Sequence, residues 1–244
     1  MSDKKNHVSS KIKIRLLDEK TPFAIKEAFN HLRANLMYYP KKGDGCPVFA
    51  TTSAEAGVGK STVIANLAIS FAKCDKKVLL VDADMRRPVL YKHFGYNKKH
   101  TGLSELLSGI ITDDKEALCN PCPSLDLITS GCVPPNPSEL INGKVFKDFI
   151  NKWKHEYDIV LIDLPPVGVV SDCLSIVHDV DGYVIITMAN KSDARRVNAA
   201  IATLKHVDGK IIGLVVNGTS LKGNIYGRNR TKYGYDYYYG IPQD

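Results

Sequence analysis

The chain has 244 residues, of which 44% are hydrophobic, so it is long and apolar enough to bury the core of one α/β domain. Its formal net charge is +7, and much of the excess lies at Lys4, Lys5, Lys11 and Lys13 and between residues 222 and 232. These basic ends fit binding to an anionic membrane surface or an acidic partner, and they equally fit a basic protein with solvated ends. No apolar run approaches the roughly 20 residues that span a bilayer, and the first residues lack the apolar segment of a signal peptide. These two features argue against a membrane-spanning or secreted protein and predict a cytoplasmic location.

Helical and extended patterns alternate from residue 22 onward. The hydrophobic periodicity predicts a first helix over 22–39 and strands over 47–52, 78–82, 125–129, 159–163, 182–187 and 210–217. Further helices are predicted after the glycine-rich loop at 54–61, over 103–107, over 138–153 with Ser138 as N-cap, over 173–178 and over 192–206. This order predicts an α/β fold with three layers, a mainly parallel sheet with helices on both faces.

The first strong motif is Ala54-Glu55-Ala56-Gly57-Val58-Gly59-Lys60-Ser61, which follows a predicted strand and precedes a predicted helix. It has the spacing of a P-loop, with Ala54 in place of the usual leading glycine. In a P-loop NTPase, the glycines let successive backbone N–H groups face a phosphate, and the helix start adds its positive end. We therefore predict nucleotide binding by Ala56, Gly57, Val58, Gly59, Lys60, Ser61 and Thr62, with Lys60 reaching the outer phosphates and the Ser61 hydroxyl reaching Mg²⁺.

Two apolar runs end in aspartate, at Asp82 and at Asp163. Such runs are typical of buried parallel strands, and a carboxylate at their carboxyl end faces the crevice where open α/β sheets bind ligands. Asp82 and Asp163, with Ser61, are therefore candidate Mg²⁺ ligands, directly or through water. Either could instead cap a helix or simply end a strand. Asp84 and Arg86 follow Asp82 on the next loop.

These three segments resemble the Walker A, Walker A′ and Walker B motifs of the bacterial protein-tyrosine kinases of capsule and exopolysaccharide systems. The segments 131–140 (GCVPPNPSEL) and 163–168 (DLPPVG), with Asp172 after them, also resemble stretches of that family. The resemblance runs from about Thr21 to the end of the chain. It implies ATP and Mg²⁺ as cofactors, a membrane adaptor that recruits and activates the kinase at the inner face of the membrane, a cognate phosphotyrosine phosphatase, and control of polysaccharide synthesis or export.

The residue after Ala54 separates related families. The partitioning, division-site and nitrogenase-type ATPases carry a lysine there, whereas this chain has Glu55. Those families are therefore disfavoured although their fold should be similar, because fold alone does not settle function.

Six of the 12 tyrosines lie near the end of the chain, at Tyr226, Tyr233, Tyr235, Tyr237, Tyr238 and Tyr239. Glycines and charges surround them, which predicts a solvated segment. We expect a domain at 21–220 between an N-terminal segment, 1–20, and a tyrosine-rich tail, 221–244, that accepts phosphate. A sticky aromatic interface or nucleic-acid binding are the alternatives, and the nucleotide motif favours the kinase hypothesis.

The first predicted helix carries another feature of the resembling family, which has Glu-x-x-Arg-x-x-Arg at a ring-forming interface. This chain has Glu27, Asn30 and Arg33, so the middle arginine is absent. The resemblance implies self-association through Glu27 and Arg33, with ring assembly less firmly implied. An ordinary core-packing helix with exposed charges is the alternative.

The expected activity is an ATP-dependent protein-tyrosine kinase that phosphorylates its own tail in trans. Lys60 would hold the β and γ phosphates, Asp82 or Asp84 would accept the phenolic proton, and Arg86 would balance phosphate charge or form a structural ion pair. An ATPase switch and a non-enzymatic nucleotide-binding regulator remain the alternatives.

The six cysteines are expected to be reduced in the cytoplasm. Cys119 and Cys122 form one CxxC with Cys132 nearby, but no second pair matches, so ordinary cysteines are favoured over a zinc site.

Overall fold

A computed structural model describes residues 16–96 and 101–219. The helices are α1 (Phe23–Met37), α2 (Lys60–Ala72), α3 (Leu90–His93), α4 (Leu103–Leu107), α5 (Pro137–Asn142), α6 (Lys144–Glu156) and α7 (Ala194–His206). The strands are β1 (Val48–Ser53), β2 (Val78–Asp82), β3 (Leu118–Cys122), β4 (Leu125–Ile128), β5 (Ile159–Asp163), β6 (Gly182–Met188) and β7 (Ile211–Asn217). Short 3₁₀ turns lie at Asp114–Ala117 and Asp172–Leu174.

The strands form one seven-stranded sheet in the order β3-β4-β2-β5-β1-β6-β7. Only the edge pair β3–β4 is antiparallel among these strands, and every other neighbouring pair is parallel. The central strands β1, β2 and β5 are buried along their whole length, as expected for apolar runs covered on both faces. The predicted α/β fold with a mainly parallel sheet is confirmed.

Each face of the sheet has its own core. On one face α1 and α2 bury Leu36, Ile64, Leu67 and Phe71 against strand residues such as Leu80 and Leu161. On the other face α6 and α7 bury Phe146, Trp153 and Leu204 against Leu79, Ile162 and Ile185. Because β1, β5 and β2 are parallel neighbours, the loops at their carboxyl ends lie at one edge of the sheet. In the described ranges, no helix is both long and apolar enough to cross a bilayer.

Two predicted helices were wrong in extent. The helix predicted over 138–153 is two helices, because Gly143 is extended at φ −67° and ψ 151°. Its start was also wrong, since Asn136 is the N-cap and Pro137 the first helical residue. Over 173–178 the structure has only the end of the turn Asp172–Leu174, followed by irregular backbone.

Strand β3 was not predicted. It contains Pro121 and an irregular register against β4, both of which are tolerated on an edge strand. Cys119 and Cys122 lie on this strand and pack against the same core as α2. In the described part of the chain, no group of three or more His, Cys, Asp or Glu side chains is arranged to hold a metal.

Candidate active site

The glycine-rich loop between β1 and α2 takes a conformation that favours glycine. Gly57 has φ +75° and Gly59 has φ +83°, both in the left-handed region. Gly59 is the N-cap of α2, so the unpaired N–H groups of the first turn and the positive end of the helix lie at the loop. The loop therefore has the backbone geometry that a bound phosphate requires.

Two side chains that the sequence analysis did not single out brace this loop. Asn217, at the end of β7, donates from Nδ2 to the Val58 carbonyl at 3.0 Å. Lys191, after β6, donates from Nζ to the Gly57 carbonyl at 3.0 Å. A Cβ on Gly59 would lie 2.2 Å from Asn217 Nδ2, so Asn217 packs directly against the loop. The loop is thereby fixed from the neighbouring strands.

The carboxylates lie beside the loop. Asp82 of β2 is opposite Asp163 of β5 in the parallel ladder, and neither residue has any exposed surface. Lys60 Nζ lies 2.6 Å from Asp163 Oδ1 and 3.8 Å from Asp84 Oδ2. Thr51 of β1 donates its hydroxyl to Asp163 Oδ1 at 3.1 Å. The structure thus brings Lys60 and the three aspartates together at one edge of the sheet.

The row formed by Lys60, Asp82, Asp84 and Asp163 holds three carboxyl groups beside a single ammonium group. Burial, and then the charge of Asp163, raises the pKa of Asp82 well above its ordinary value of 3.8. Burial alone would lower the pKa of Lys60, but the charges of Asp163 and Asp84 outweigh it and raise that pKa. Asp82 Oδ1 and Asp163 Oδ2 are buried oxygens with no hydrogen-bond partner within the described residues. Buried carboxylate oxygens left in this way are costly unless a ligand meets them.

The donor set fits Mg²⁺. Ser61, which is buried in the first turn of α2, adds a hydroxyl to the unpartnered oxygens of Asp82 and Asp163. Mg²⁺ prefers oxygen ligands and is usually held by one or two carboxylates together with water and substrate phosphates. Two carboxylates and one hydroxyl therefore suffice for a metal that binds together with a nucleotide, although they do not form a closed protein cage.

A cavity of about 460 Å³ opens over this row. Its wall includes Gly57, Lys60, Asp84, Arg86 and Arg87. Asp84 is 8% exposed, whereas Asp82 has no exposed surface. Burial raises the pKa of Asp84, and the nearby charge of Lys60 opposes that rise. Of the two aspartates on this loop, Asp84 is the one that a molecule in the cavity can reach.

Arg86 forms an ion pair as well as lining the cavity. Its Nε lies 3.0 Å from Asp172 Oδ2, and its Nη2 donates to Ser138 Oγ at 2.7 Å. The Ser138 hydroxyl donates to Asp172 Oδ1 at 2.7 Å. The hydrogen bond to Asp172 raises the pKa of Arg86. Ser138, predicted as an N-cap, therefore joins the Arg86 loop to Asp172, and the structural ion pair that the sequence left open is present.

Thr62, in the predicted nucleotide loop, contacts a residue that the sequence analysis missed. His93 of α3 lies with Nε2 3.0 Å from Thr62 Oγ1 and Nδ1 2.8 Å from the Val89 carbonyl. Burial lowers the pKa of His93, so the ring is neutral at pH 7. A carbonyl can only accept, so we assign the ring proton to Nδ1, and Nε2 accepts from the Thr62 hydroxyl. The Thr62 hydroxyl thus points to α3 in this state.

The two residues expected at an oligomer interface make contacts within the chain. Arg33 Nη1 donates to the Ser70 carbonyl at 2.9 Å and to the Ser70 hydroxyl at 2.8 Å. Asn30 accepts from Arg33 and donates to Glu27 Oε1 at 2.7 Å. The two bonds from Arg33 to Ser70 connect α1 to the end of α2.

The six tail tyrosines predicted to accept phosphate lie outside the described residues.

Comparisons with known proteins place the chain in a family. It is 34% identical over 203 residues to the tyrosine-protein kinase CpsD of Streptococcus pneumoniae serotype 4, covering 83% of this chain and 88% of that protein. The chain belongs to the bacterial tyrosine-protein kinases. The resemblance inferred from the Walker-type motifs is confirmed, and with it the assignment of the chain as a protein-tyrosine kinase.

Solved structures agree with this assignment. The kinase domain of Escherichia coli tyrosine kinase ETK superposes with a TM-score of 0.76 at 29% identity, covering 91% of this chain and 88% of that one. The chimerical protein CapA2B2 superposes with a TM-score of 0.73 at 31% identity, covering 81% and 85%. The family model described as ParA, NUBPL iron-transfer P-loop NTPase, matches residues 47–235, which confirms the P-loop NTPase class.

Proposed function

We propose that this kinase transfers the γ-phosphate of ATP to tyrosines in the tail of another copy of the chain. The observation that carries the proposal is the row of Lys60, Asp82 and Asp163, with two unpartnered oxygens, next to a glycine loop and under a cavity that Asp84 reaches. A cluster of tyrosines in the same chain supplies acceptors.

Binding of the nucleotide begins at the loop. The backbone N–H groups of Ala56 through Ser61 would hold the β-phosphate of a bound nucleotide, and the Thr62 hydroxyl would have to leave His93 to reach the inner phosphates. Lys60 would hold the β and γ phosphate oxygens in place of its contact with Asp163. A bound Mg²⁺, held by Ser61 and, directly or through water, by Asp82 and Asp163, would neutralise charge on the β and γ phosphates.

The transfer step uses the carboxylate that faces the cavity. Asp84 accepts the proton of the tyrosine hydroxyl, and the phenolic oxygen forms a bond to the γ-phosphorus. The bond from the γ-phosphorus to the bridging oxygen breaks, and its electron pair leaves with ADP. The raised pKa of Asp84 suits a general base, because it brings proton affinity closer to the operating pH. Arg86 and Arg87 add positive charge at the cavity wall where the transferred phosphate carries its charge.

The test is incubation of the purified protein with ATP and Mg²⁺, followed by mass-spectrometric mapping of phosphate. Phosphotyrosine at Tyr226, Tyr233, Tyr235, Tyr237, Tyr238 or Tyr239 supports the proposal. Release of inorganic phosphate without phosphotyrosine would instead identify an ATPase switch, and bound but unreacted ATP would identify a regulator.

Transfer between molecules has a separate test. A chain ending after Ser220 retains all three phosphate-site segments but none of the six tail tyrosines. Mixed with a full-length Lys60→Met chain, it is expected to label the tail of that inactive partner. An unlabelled Lys60→Met tail in this mixture, while the unmodified full-length protein labels its own tail in a parallel reaction, would contradict transfer in trans.

Partners and cellular role follow from the family resemblance. We infer a membrane adaptor that recruits and activates the kinase, a phosphotyrosine phosphatase that reverses the reaction, a role in capsule or exopolysaccharide production, and self-association that involves Glu27 and Arg33. Cell fractionation with and without co-expressed candidate adaptors tests the recruitment, and membrane association that is independent of any adaptor would count against it.

A further inference from the structure

A second cavity of about 590 Å³ adjoins the nucleotide cavity. It lies between the start of the glycine loop, the segment 167–169 after β5, and α7. Glu55, Ala56 and Val169 line both cavities, so the two spaces meet at these residues. A peptide that places one side chain in the nucleotide cavity can therefore place a neighbouring side chain in the second.

Glu55 is the acidic residue on the wall of this second cavity. Its Oε1 accepts from the Asp193 N–H at 3.4 Å and lies 3.9 Å from Arg196 Nη1. Both contacts are at the long limit for such interactions, and the Arg196 side chain is 68% exposed, so its pairing with Glu55 is weak. The carboxylate of Glu55 thus retains capacity to accept from a further donor.

The remaining wall suits a long side chain with a charged end. Apart from Arg196 and Thr203, it consists of small or apolar residues, namely Ala54, Ala56, Val167, Gly168, Val169, Ala199 and Ala200. Lysine and arginine place their methylene stems along such surfaces while the charged group reaches a polar partner. The cavity therefore offers largely apolar walls beside the Glu55 carboxylate, with the exposed guanidinium of Arg196 on the same lining.

The tail sequence has a matching order of charges around Tyr233. Arg228, Arg230 and Lys232 precede this tyrosine, and the first charged residue after it is Asp236. Arg87 lines the nucleotide cavity but not the second one, whereas Glu55 lines both. The cations before the tyrosine and the acid after it are opposite in charge to Glu55 and to Arg87, respectively.

We propose that the cavity at Glu55 is a subsite for a lysine or arginine that precedes the acceptor tyrosine, and that it directs phosphate first to Tyr233 of a second copy of the chain. This proposal rests on the tyrosine transfer proposed above. It assigns to Glu55, which stands where related ATPases have lysine, the selection of the acceptor.

The test uses full-length enzyme and a full-length, ¹⁵N-labelled Lys60→Met chain as acceptor, so that mass spectrometry distinguishes the two tails. Glu55→Gln keeps an oxygen that can accept from the Asp193 N–H but removes the charge. We expect about a tenfold rise in KM for Tyr233 of the acceptor and little change in kcat. An acceptor that also carries Arg228→Ala, Arg230→Ala and Lys232→Ala should react poorly with both enzymes, whereas Lys222→Ala, far upstream, is the matched control.

A charge exchange gives the decisive comparison. Glu55→Lys is expected to disfavour the natural acceptor and to recover transfer to an acceptor with Arg230→Glu and Lys232→Glu. An equal loss of transfer to all acceptors, or no change in site order with Glu55→Gln, would overturn the subsite. Absence of any tyrosine transfer by the unmodified enzyme would instead overturn the underlying function, so the two failures are distinguishable.

Discussion

Two buried aspartates, Asp82 and Asp114, differ in how many of their oxygens are hydrogen-bonded and in the direction of their pKa shifts. Asp114 accepts from Lys152 Nζ at 2.7 Å and from Trp153 Nε1 at 2.6 Å, so both of its oxygens are bonded. Burial raises its pKa, but these hydrogen bonds outweigh burial and hold the pKa below its ordinary value. Asp82 accepts only from the Leu90 N–H at 3.2 Å, its other oxygen has no partner among the described residues, and its pKa is raised.

This difference separates a carboxylate that stabilises the fold from one that serves a ligand. Asp114 is ionised at little cost and fixes α6 to the turn before β3, because its charge is compensated within the protein. Asp82 is costly to ionise until a cation meets its free oxygen. Burial alone therefore does not distinguish these two carboxylates, whereas the unpartnered oxygen of Asp82, next to that of Asp163 and beside the glycine loop, does.

The largest expected effect comes from removing the cation of the active-site row. Lys60→Met should reduce autophosphorylation at least a hundredfold, about 2.7 kcal/mol of barrier, because the transferred phosphate loses the positive charge of Lys60. The melting temperature should also fall, since Asp163 loses its cation at 2.6 Å. Phosphotyrosine immunoblotting and circular dichroism measure the two effects.

The control for that change is Lys60→Arg, which retains the positive charge. It should melt closer to the unmodified protein than Lys60→Met does. Normal phosphotyrosine levels in folded Lys60→Met would remove Lys60 from the catalytic machinery.

Next in size is a matched pair at the metal site, Asp82→Asn and Asp163→Asn. Each removes one charge with little change of shape, and each should slow Mg²⁺-dependent transfer tenfold or more, at least about 1.4 kcal/mol of barrier. A titration of rate against Mg²⁺ concentration checks this. A variant that keeps the normal rate and Mg²⁺ response would show that its aspartate is structural.

The same pair should differ in stability without ligands. The folded-state pKa of Asp82 lies above the ordinary value of 3.8, so its ionisation increasingly destabilises the fold as pH rises above that value. At pH 7, Asp82→Asn should therefore raise the melting temperature, by roughly 2 to 4 °C for each kcal/mol. Asp163→Asn should lower it, because Lys60 loses its partner. A fall in both would contradict the contrast between Asp82 and Asp114.

The sequence was sufficient for the features that depend on local pattern. Apolar runs that end in Asp82 and Asp163 predicted parallel strands, and the spacing from Gly57 to Ser61 predicted the loop, because backbone geometry and strand burial there follow from adjacent residues. The carboxyl ends of parallel strands predicted that Asp82 and Asp163 face one crevice. Their position side by side on neighbouring strands comes from the structure.

Features that depend on distant partners were not predictable in this way. Ser138 looked like an N-cap, but its hydroxyl bonds Asp172, 34 residues away, and Pro137 takes the first helical position. Asn217 supports the glycine loop from 159 residues away. No local periodicity marks such contacts, so only the folded arrangement identifies them.

A further prediction concerns Asp114 itself. Asp114→Asn places an amide NH₂ against Lys152 or Trp153, so one donor loses its acceptor, and the free energy of unfolding should fall by about 2 kcal/mol. Because the folded-state pKa of Asp114 lies below the ordinary 3.8, its contribution is present above that pH and is lost as pH falls below it. Urea titrations at pH 7 should resolve the loss. Kinase activity of the folded variant should remain within about twofold; a larger loss would make Asp114 part of the active site.

The smallest expected effect tests whether Arg33 belongs with the satisfied or the unsatisfied polar groups. Its guanidinium bonds the Ser70 carbonyl and hydroxyl within the same chain, so Arg33→Ala should lower the free energy of unfolding by about 1 kcal/mol. Lys26→Ala, also on α1, is the control, since Lys26 bonds the exposed Glu19 carbonyl and should change stability by less than about 0.5 kcal/mol. Light scattering at matched protein and salt concentrations decides the interface: a loss of assembled species in Arg33→Ala but not in Lys26→Ala means that Arg33 also reaches a neighbouring subunit. An unchanged mass in light scattering together with reduced stability would show that Arg33 acts only within its own chain, where it bonds α1 to α2, as Asp114 bonds α6 to the turn before β3.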